Sequence, residues 1–164
     1  MKKAAKIPLE YRMYSLVMYN ISDKQKGIQG GHGKDEFERV YGRLKGYKQW
    51  LKTDKTVILL DGGTSNRTGK NHYNNKIQFG SMEQHLETLK KMGVKCMPFY
   101  EPDLNNSTAA VSFLVDSRVW DRTTYPEFEY SPETYNNKES IYVKTLGGKQ
   151  NYELRKFLKN FRLA

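Results

Sequence analysis

Four short apolar runs set what this chain can build: residues 11–19 (YRMYSLVMY), 56–60 (TVILL), 94–100 (VKCMPFY) and 108–115 (TAAVSFLV). Each is rich in β-branched or aromatic side chains and is bounded by polar or glycine-containing segments, the pattern of buried strands. Helical spacing fills the intervals. From Gly27 to about Tyr41, Phe37, Val40, Tyr41 and Leu44 recur with Asp35, Glu36 and Glu38 between them. Residues 81–92 carry the strongest helix signal. Ser81 caps it, Gln84 completes a capping box, and Met82, Leu86 and Leu89 line one face. Lys90 and Lys91 suit the C-terminal dipole and Gly93 ends the helix. Trp50 and Leu51 belong to a short helical turn. The order β-α-β-α-β-β predicts an α/β layered fold with parallel pairs, closed by one antiparallel neighbour in a mixed sheet.

The connections are less regular. Residues 20–26 are polar and turn-like, and Asp61-Gly62-Gly63 is expected to stop the second strand. Residues 64–79 read as a polar loop or insertion. Residues 122–139, rich in Tyr, Pro, Glu and Asn, read as an extended wrap, and 152–161 (YELRKFLKNF) as a short amphipathic basic helix. A length of 164 residues predicts one domain with a core that needs no metal or disulfide. Residues 1–121 form its α/β body, and 122–164 are an extension rather than a second domain. No internal repeat is visible.

The formal net charge is +10 and the pI about 9.5. The last 21 residues, 144–164, hold six basic residues and one glutamate, so half of that net charge lies in the tail. Such a balance points to a polyanion, with RNA or DNA first and an anionic membrane surface second; the plain alternative is charge serving solubility. No apolar stretch is long enough to cross a membrane, and residues 1–8 lack the apolar core of a secretory signal. The single cysteine, Cys96, excludes an internal disulfide and a multi-cysteine metal site. It fits a strand interior in a reducing, cytoplasmic setting. His72 and His85 show no ligand spacing, and His85 is expected on a helix surface.

Three stretches could carry chemistry. The first is residues 24–33 (KQKGIQGGHG), where strand one gives way to helix one. A helix N-terminus offers free N–H groups to a phosphate, Lys24 and Lys26 add charge, and the glycines let an anion or a neighbouring backbone come close. It also reads as a glycine-rich turn with solvated lysines. The second is residues 101–108 (EPDLNNST), where Asp103 could orient a water and Asn105, Ser107 and Thr108 could hold an oxyanion or a sugar hydroxyl. Asx-turn chemistry explains the same residues. The third, Asp61-Gly62-Gly63-Thr64, reads best as a tight turn.

The first stretch, with Gln29 and His32 three apart after a first strand, resembles the Gly-Lys-x-Ala-Ala-Gln-x-x-His-Ala signature of type II peptidyl-tRNA hydrolases. Asp103 to Thr108, followed by Ala-Ala-Val-Ser-Phe, resembles that family's Asp-Ala-Gly-x-Thr motif and the strand after it. The set Lys-Gly-Ile-Gln, Leu-Asp-Gly-Gly-Thr, Glu-Pro-Asp-Leu-Asn and Ser-Phe-Leu-Val-Asp resembles a phage-encoded branch of that family more closely still. The resemblance spans about residues 11–121. Gln25 stands where the family lysine belongs, so Lys24 or Lys26 substitutes for it, and Asp103 to Thr108 is one step longer than the family spacing.

The resemblance implies a three-layer α/β/α sandwich around a mixed four-stranded sheet. It also implies metal-independent, cofactor-free hydrolysis of the ester joining a peptide or acyl group to the 3′ ribose of tRNA. Lys26, His32, Asp103 and Thr108 become the catalytic set, with Asp103 positioning water. Lys24, Gln29, Asn105 and Ser107 bind substrate, and Lys90, Lys91, Arg155, Lys156 and Lys159 grip the RNA backbone. The alternative is a non-catalytic binder on the same scaffold, a phage accessory or counter-defence factor that holds tRNA, a nucleotide or a host protein. A homodimer is compatible with either, and a membrane partner with neither.

Overall fold

The computed structural model of the chain describes residues 8–65, 80–127 and 140–164, and the backbone path of 68–70, 77–78 and 135–139. Elements follow in the order β1 (Tyr11–Met18), α1 (Asp23–Tyr41), α2 (Lys45–Lys52), β2 (Val57–Gly63), β3 (Thr68–Lys70), β4 (Ile77–Gln78) and α3 (Ser81–Lys91). Then come β5 (Cys96–Glu101), a single 3₁₀ turn (Pro102–Leu104), β6 (Ser107–Asp116), α4 (Ser117–Trp120), α5 (Tyr135–Thr145) and α6 (Lys149–Leu158).

The main sheet has four strands in the order β2-β1-β6-β5. β1 and β2 run parallel, and β6 is antiparallel to both β1 and β5. This is the mixed α/β sheet that the element order predicts. Strand alternation splits β1 between two cores. Met13 joins Phe37, Tyr47 and Trp50 under α1 and α2. Tyr14, Leu16 and Met18 face the other way, against Met82, Leu86 and Leu89 of α3 and Leu154 and Phe157 of α6. Helices therefore cover both faces, and the C-terminal helix completes one of the cores. The outer edge of β2 is capped by the chain's own tail: Leu60 bridges Leu163, and Asp61 N–H donates to Arg162 C=O at 3.0 Å. Pro98 lies in the other edge strand, β5, where its missing N–H weakens that edge as a pairing template.

Several expectations are corrected. Helix α1 starts at Asp23, four residues before Gly27, because Ser22 and Gln25 form a capping box. The glycines thus lie inside the helix, and one of its first free N–H groups, that of Gln25, is already taken by Ser22 Oγ. Gly30 and Gly33 are buried against the sheet. A Cβ at Gly33 would fall 2.5 Å from Ser112 Oγ, so the glycine is what lets helix and strand approach. β2 runs through Asp61-Gly62-Gly63 instead of stopping there. A Cβ at Gly62 would strike Met82 Sδ, so its absence lets α3 close over the strand.

Ser81 is not the cap of α3; Gly80 is. Ser81 Oγ instead donates to Gly62 C=O at 3.0 Å and accepts from Thr64 N–H at 2.8 Å, pinning the helix start to the end of β2. Within 64–79, β3 and β4 pair as a small antiparallel hairpin rather than a plain loop; residues 66–67, 71–76 and 79, and with them His72, lie outside the described residues. Residues 135–139, read as extended, open helix α5. His85 is not a free surface residue: its ring packs edge-on against Phe157 and Phe161 at 5.7 and 4.8 Å, and burial lowers its pKa. Cys96 is buried in the strand interior, and burial pushes its thiol up to about 11.

Candidate functional site

The pairing directions bring the carboxyl ends of β1, β2 and β5 to one edge of the sheet, together with the start of β6. Helices α1 and α3 both begin at that edge, on opposite faces. In open α/β sheets ligands bind at this edge, in the crevice between helices that leave in opposite directions. The first two sequence candidates converge here.

On the α1 side, Gln29 and His32 are one turn apart. Gln29 is 7% exposed, and its Nε2 donates to Glu101 Oε2 at 2.5 Å. Its Oε1 is buried with no hydrogen-bond partner. The exposed His32 ring lies against Phe99 of β5, with centroids 4.7 Å apart. Lys26, one turn before Gln29, is half-buried and bridges Asp23 at 3.4 Å, whereas Lys24 is exposed. Lys26 is thereby the better held of the two lysines.

The loop from β5 to β6 supplies the rest. Pro102 opens a 3₁₀ turn, and Asn105 and Asn106 both take the left-handed conformation, each with φ of 56°. Asn is the non-glycine residue that best tolerates that region, so the Asn-Asn pair is what allows so tight a return. Glu101 C=O accepts from Asn106 N–H at 3.0 Å and closes the turn. Asp103 sits exposed on its crest, with no hydrogen bond to another described residue. Asn105, Asn106, Ser107 and the 2%-exposed Thr108 line a cleft of about 1020 Å³ whose far wall is α3, with Lys90, Lys91, Glu83 and Glu87. Tyr100, 49% exposed, borders it. Lys90 pairs with Glu87 at 3.2 Å, whereas Lys91 on that wall has no carboxylate partner among the described residues.

The structure therefore brings Gln29, His32 and the 101–108 loop to one edge, and Lys90, Lys91, Asn105, Ser107 and Thr108 line the cleft on its α3 side, whereas Lys26, Gln29, His32 and Asp103 are not part of that lining. The C-terminal cations separate. Lys156 is exposed, its ammonium 4.0 Å above the Tyr152 ring, and Lys159 pairs with Glu127 at 3.1 Å. Arg155 does not face solvent at all. It is 2% exposed, donating to Arg118 C=O at 3.1 Å and to Tyr125 C=O, and pairing with Glu127 at 3.2 Å. It fastens the segment after α4 to α6 and has nothing left for an RNA phosphate. Burial raises the Glu127 carboxyl, and the Lys159 and Arg155 contacts outweigh that and hold it low.

The third candidate is structural. Asp61 accepts from Gly63 N–H at 3.1 Å and pairs with Arg162 at 2.9 Å. Glu101 belongs to the second stretch but took no role from the sequence, and it is the residue that ties that loop to α1 through Gln29. Its signal was a carboxylate at a strand end beside a helix face carrying an amide, a pairing that emerges only once β5 is laid against α1. No group of His, Cys, Asp or Glu that could hold a metal ion occurs among the described residues, and no helix among them is long and apolar enough to cross a membrane. No protein-family model and no curated protein matches this sequence.

Proposed function

We propose that the chain is a hydrolase of the ester that joins a peptide or acylated amino acid to the 3′ ribose of tRNA, as the resemblance to type II peptidyl-tRNA hydrolases implies. The observation that supports this best is the meeting of the Gln29–His32 face of α1 with the 101–108 loop at the carboxyl edge of the sheet. The exposed Asp103 carboxylate orients the attacking water and accepts its proton as the carbonyl carbon is attacked; the acyl C–O bond to the ribose 3′ oxygen then breaks, and that proton passes to the leaving 3′ oxygen. Ser107, Asn105 and Thr108 supply polar atoms beside it for the ester and the ribose. Lys26, assisted by Lys24, holds the terminal phosphate or the developing oxyanion, and His32 steadies the acceptor end. Lys91, Lys90, Lys156 and Lys159 meet the RNA backbone, which makes affinity fall steeply with salt. The reaction needs only water, so it calls for neither metal nor cofactor. The cytoplasm, that of an infected host if the gene is a phage's, is the setting where such a substrate occurs.

A second reading has one observation in its favour. The exposed Asp103 carboxylate makes no hydrogen bond or ion pair with another described residue, as a binding protein on this scaffold would allow. Such a protein would hold tRNA without turnover. Release of N-acetyl amino acid from N-acetylaminoacyl-tRNA separates the two: a hydrolase releases it, and a binder retains the RNA intact.

A further inference from the structure

Gln29 and Glu101 meet across the seam between α1 and β5, and their chemistry fixes an orientation. A carboxylate only accepts hydrogen bonds, so the Gln29 amide must turn its NH₂ toward Glu101 and its carbonyl oxygen away. That oxygen, Gln29 Oε1, is shielded from solvent and has no donor among the described residues. Native proteins leave few buried acceptors unpaired, and each asks for an explanation. The same Glu101 closes the 3₁₀ turn through its own carbonyl, so one residue touches both the helix and the loop that bears Asp103. A contact shielded from water is also stronger than the same contact on an open surface.

We infer that Glu101 is the positioning residue of this site: it locks the Gln29 amide so that Oε1 is presented as an acceptor to a hydroxyl or N–H donor of the substrate. Oε1 is covered in the free protein, so the donor enters as neighbouring side chains give way. Which donor it is rests on the acyl-tRNA reading above. Near the ester of such a substrate, the ribose 2′ hydroxyl and the amide N–H of the acyl group both qualify.

The test uses the full chain and three RNAs: N-acetylaminoacyl-tRNA, the same RNA ending in 2′-deoxyadenosine, and one esterified with an O-acetylated α-hydroxy acid, whose ester oxygen replaces the N–H and offers no donor. Kd and acyl release are both read. In Glu101→Gln the two amides can pair in either sense, so the orientation is lost. This variant should bind the first RNA about tenfold more weakly than wild type, the scale of one hydrogen bond. It should also lose the wild type's discrimination against one of the other two, and that RNA identifies the donor. The exchange Gln29→Glu with Glu101→Gln rebuilds the bond, keeps an acceptor at position 29, and should recover most of the affinity.

Equal weakening of all three RNAs, tracking a fall in Tm, would mean that Glu101 only holds the fold together and would overturn the proposal. So would wild-type affinity in Glu101→Gln, or a wild type that binds none of the three. Intact binding without acyl release defeats the hydrolase reading alone, because the Kd comparison still decides the role of Glu101.

Discussion

Ser15 and Ser112 face each other across the two central strands and share a 2.6 Å hydrogen bond between their hydroxyls, directly beneath Gly33 of α1. Both serines are fully buried. Each hydroxyl has the other as a partner, and the pair presents a low surface on which a helix without a side chain at that point can rest.

Gly33→Ala should therefore destabilise the protein. The new Cβ would sit 2.5 Å from Ser112 Oγ and 3.0 Å from Ala110 Cβ, so α1 must lift. A cost of about 1–3 kcal/mol is expected from such overpacking. Gly31 lies in the same helix with nothing within 4 Å of its would-be Cβ. Gly31→Ala should stabilise by about 0.5–1 kcal/mol through helix propensity. Urea unfolding of the two variants, side by side, checks both signs.

Arg155→Met should lower stability without weakening RNA binding by the folded protein. It leaves Arg118 C=O and Tyr125 C=O without their buried donor, a loss of about 2–3 kcal/mol. Lys156→Ala, on the exposed side of the same helix, should do the reverse: little change in Tm and a shallower dependence of tRNA affinity on salt. Thermal melts and salt titrations on both variants separate the structural cation from the surface one.

Acid should loosen the α3–α6 face. Burial holds the His85 pKa below its ordinary value of 6.5, so the unfolded chain takes up a proton at a higher pH than the folded one. The stability this contributes is present above about pH 6.5 and is lost as the pH falls from there toward the folded-state pKa. In His85→Gln, Tm should decline less between about pH 7 and about pH 5 than in wild type. Parallel declines would exclude His85 as the source.

How much of this was written in the sequence depends on distance along the chain. The four strands of the main sheet and α3 were legible because their patterns are local; β5 and β6 fall within two residues of the runs that announced them. The start of α1 was also local, in Ser22 and Gln25, but the glycines that followed outweighed it. What those glycines do depends on Ser112 and Leu59, far along the chain. β2 continues through Asp61-Gly62-Gly63 for a similar reason, because Met82 and the tail residue Arg162 pack and bond where a turn was expected. Arg155 read as a surface cation because helical periodicity cannot register that the segment after α4 folds back over it. At the site, the residue types at Gln29, His32 and 103–108 were readable. The Gln29–Glu101 contact was not, because it joins residues 72 positions apart.

The central claim is that Asp103 drives water onto an acyl-tRNA ester. It is tested most directly by acyl release from N-acetylaminoacyl-tRNA, with wild type and Asp103→Asn compared at low and moderate salt and tRNA affinity measured alongside. The account predicts release by wild type, a loss of at least about 100-fold in Asp103→Asn as expected for a general base, and nearly unchanged affinity. Salt-sensitive tRNA binding with no release by wild type, or equal release by both proteins, would contradict it.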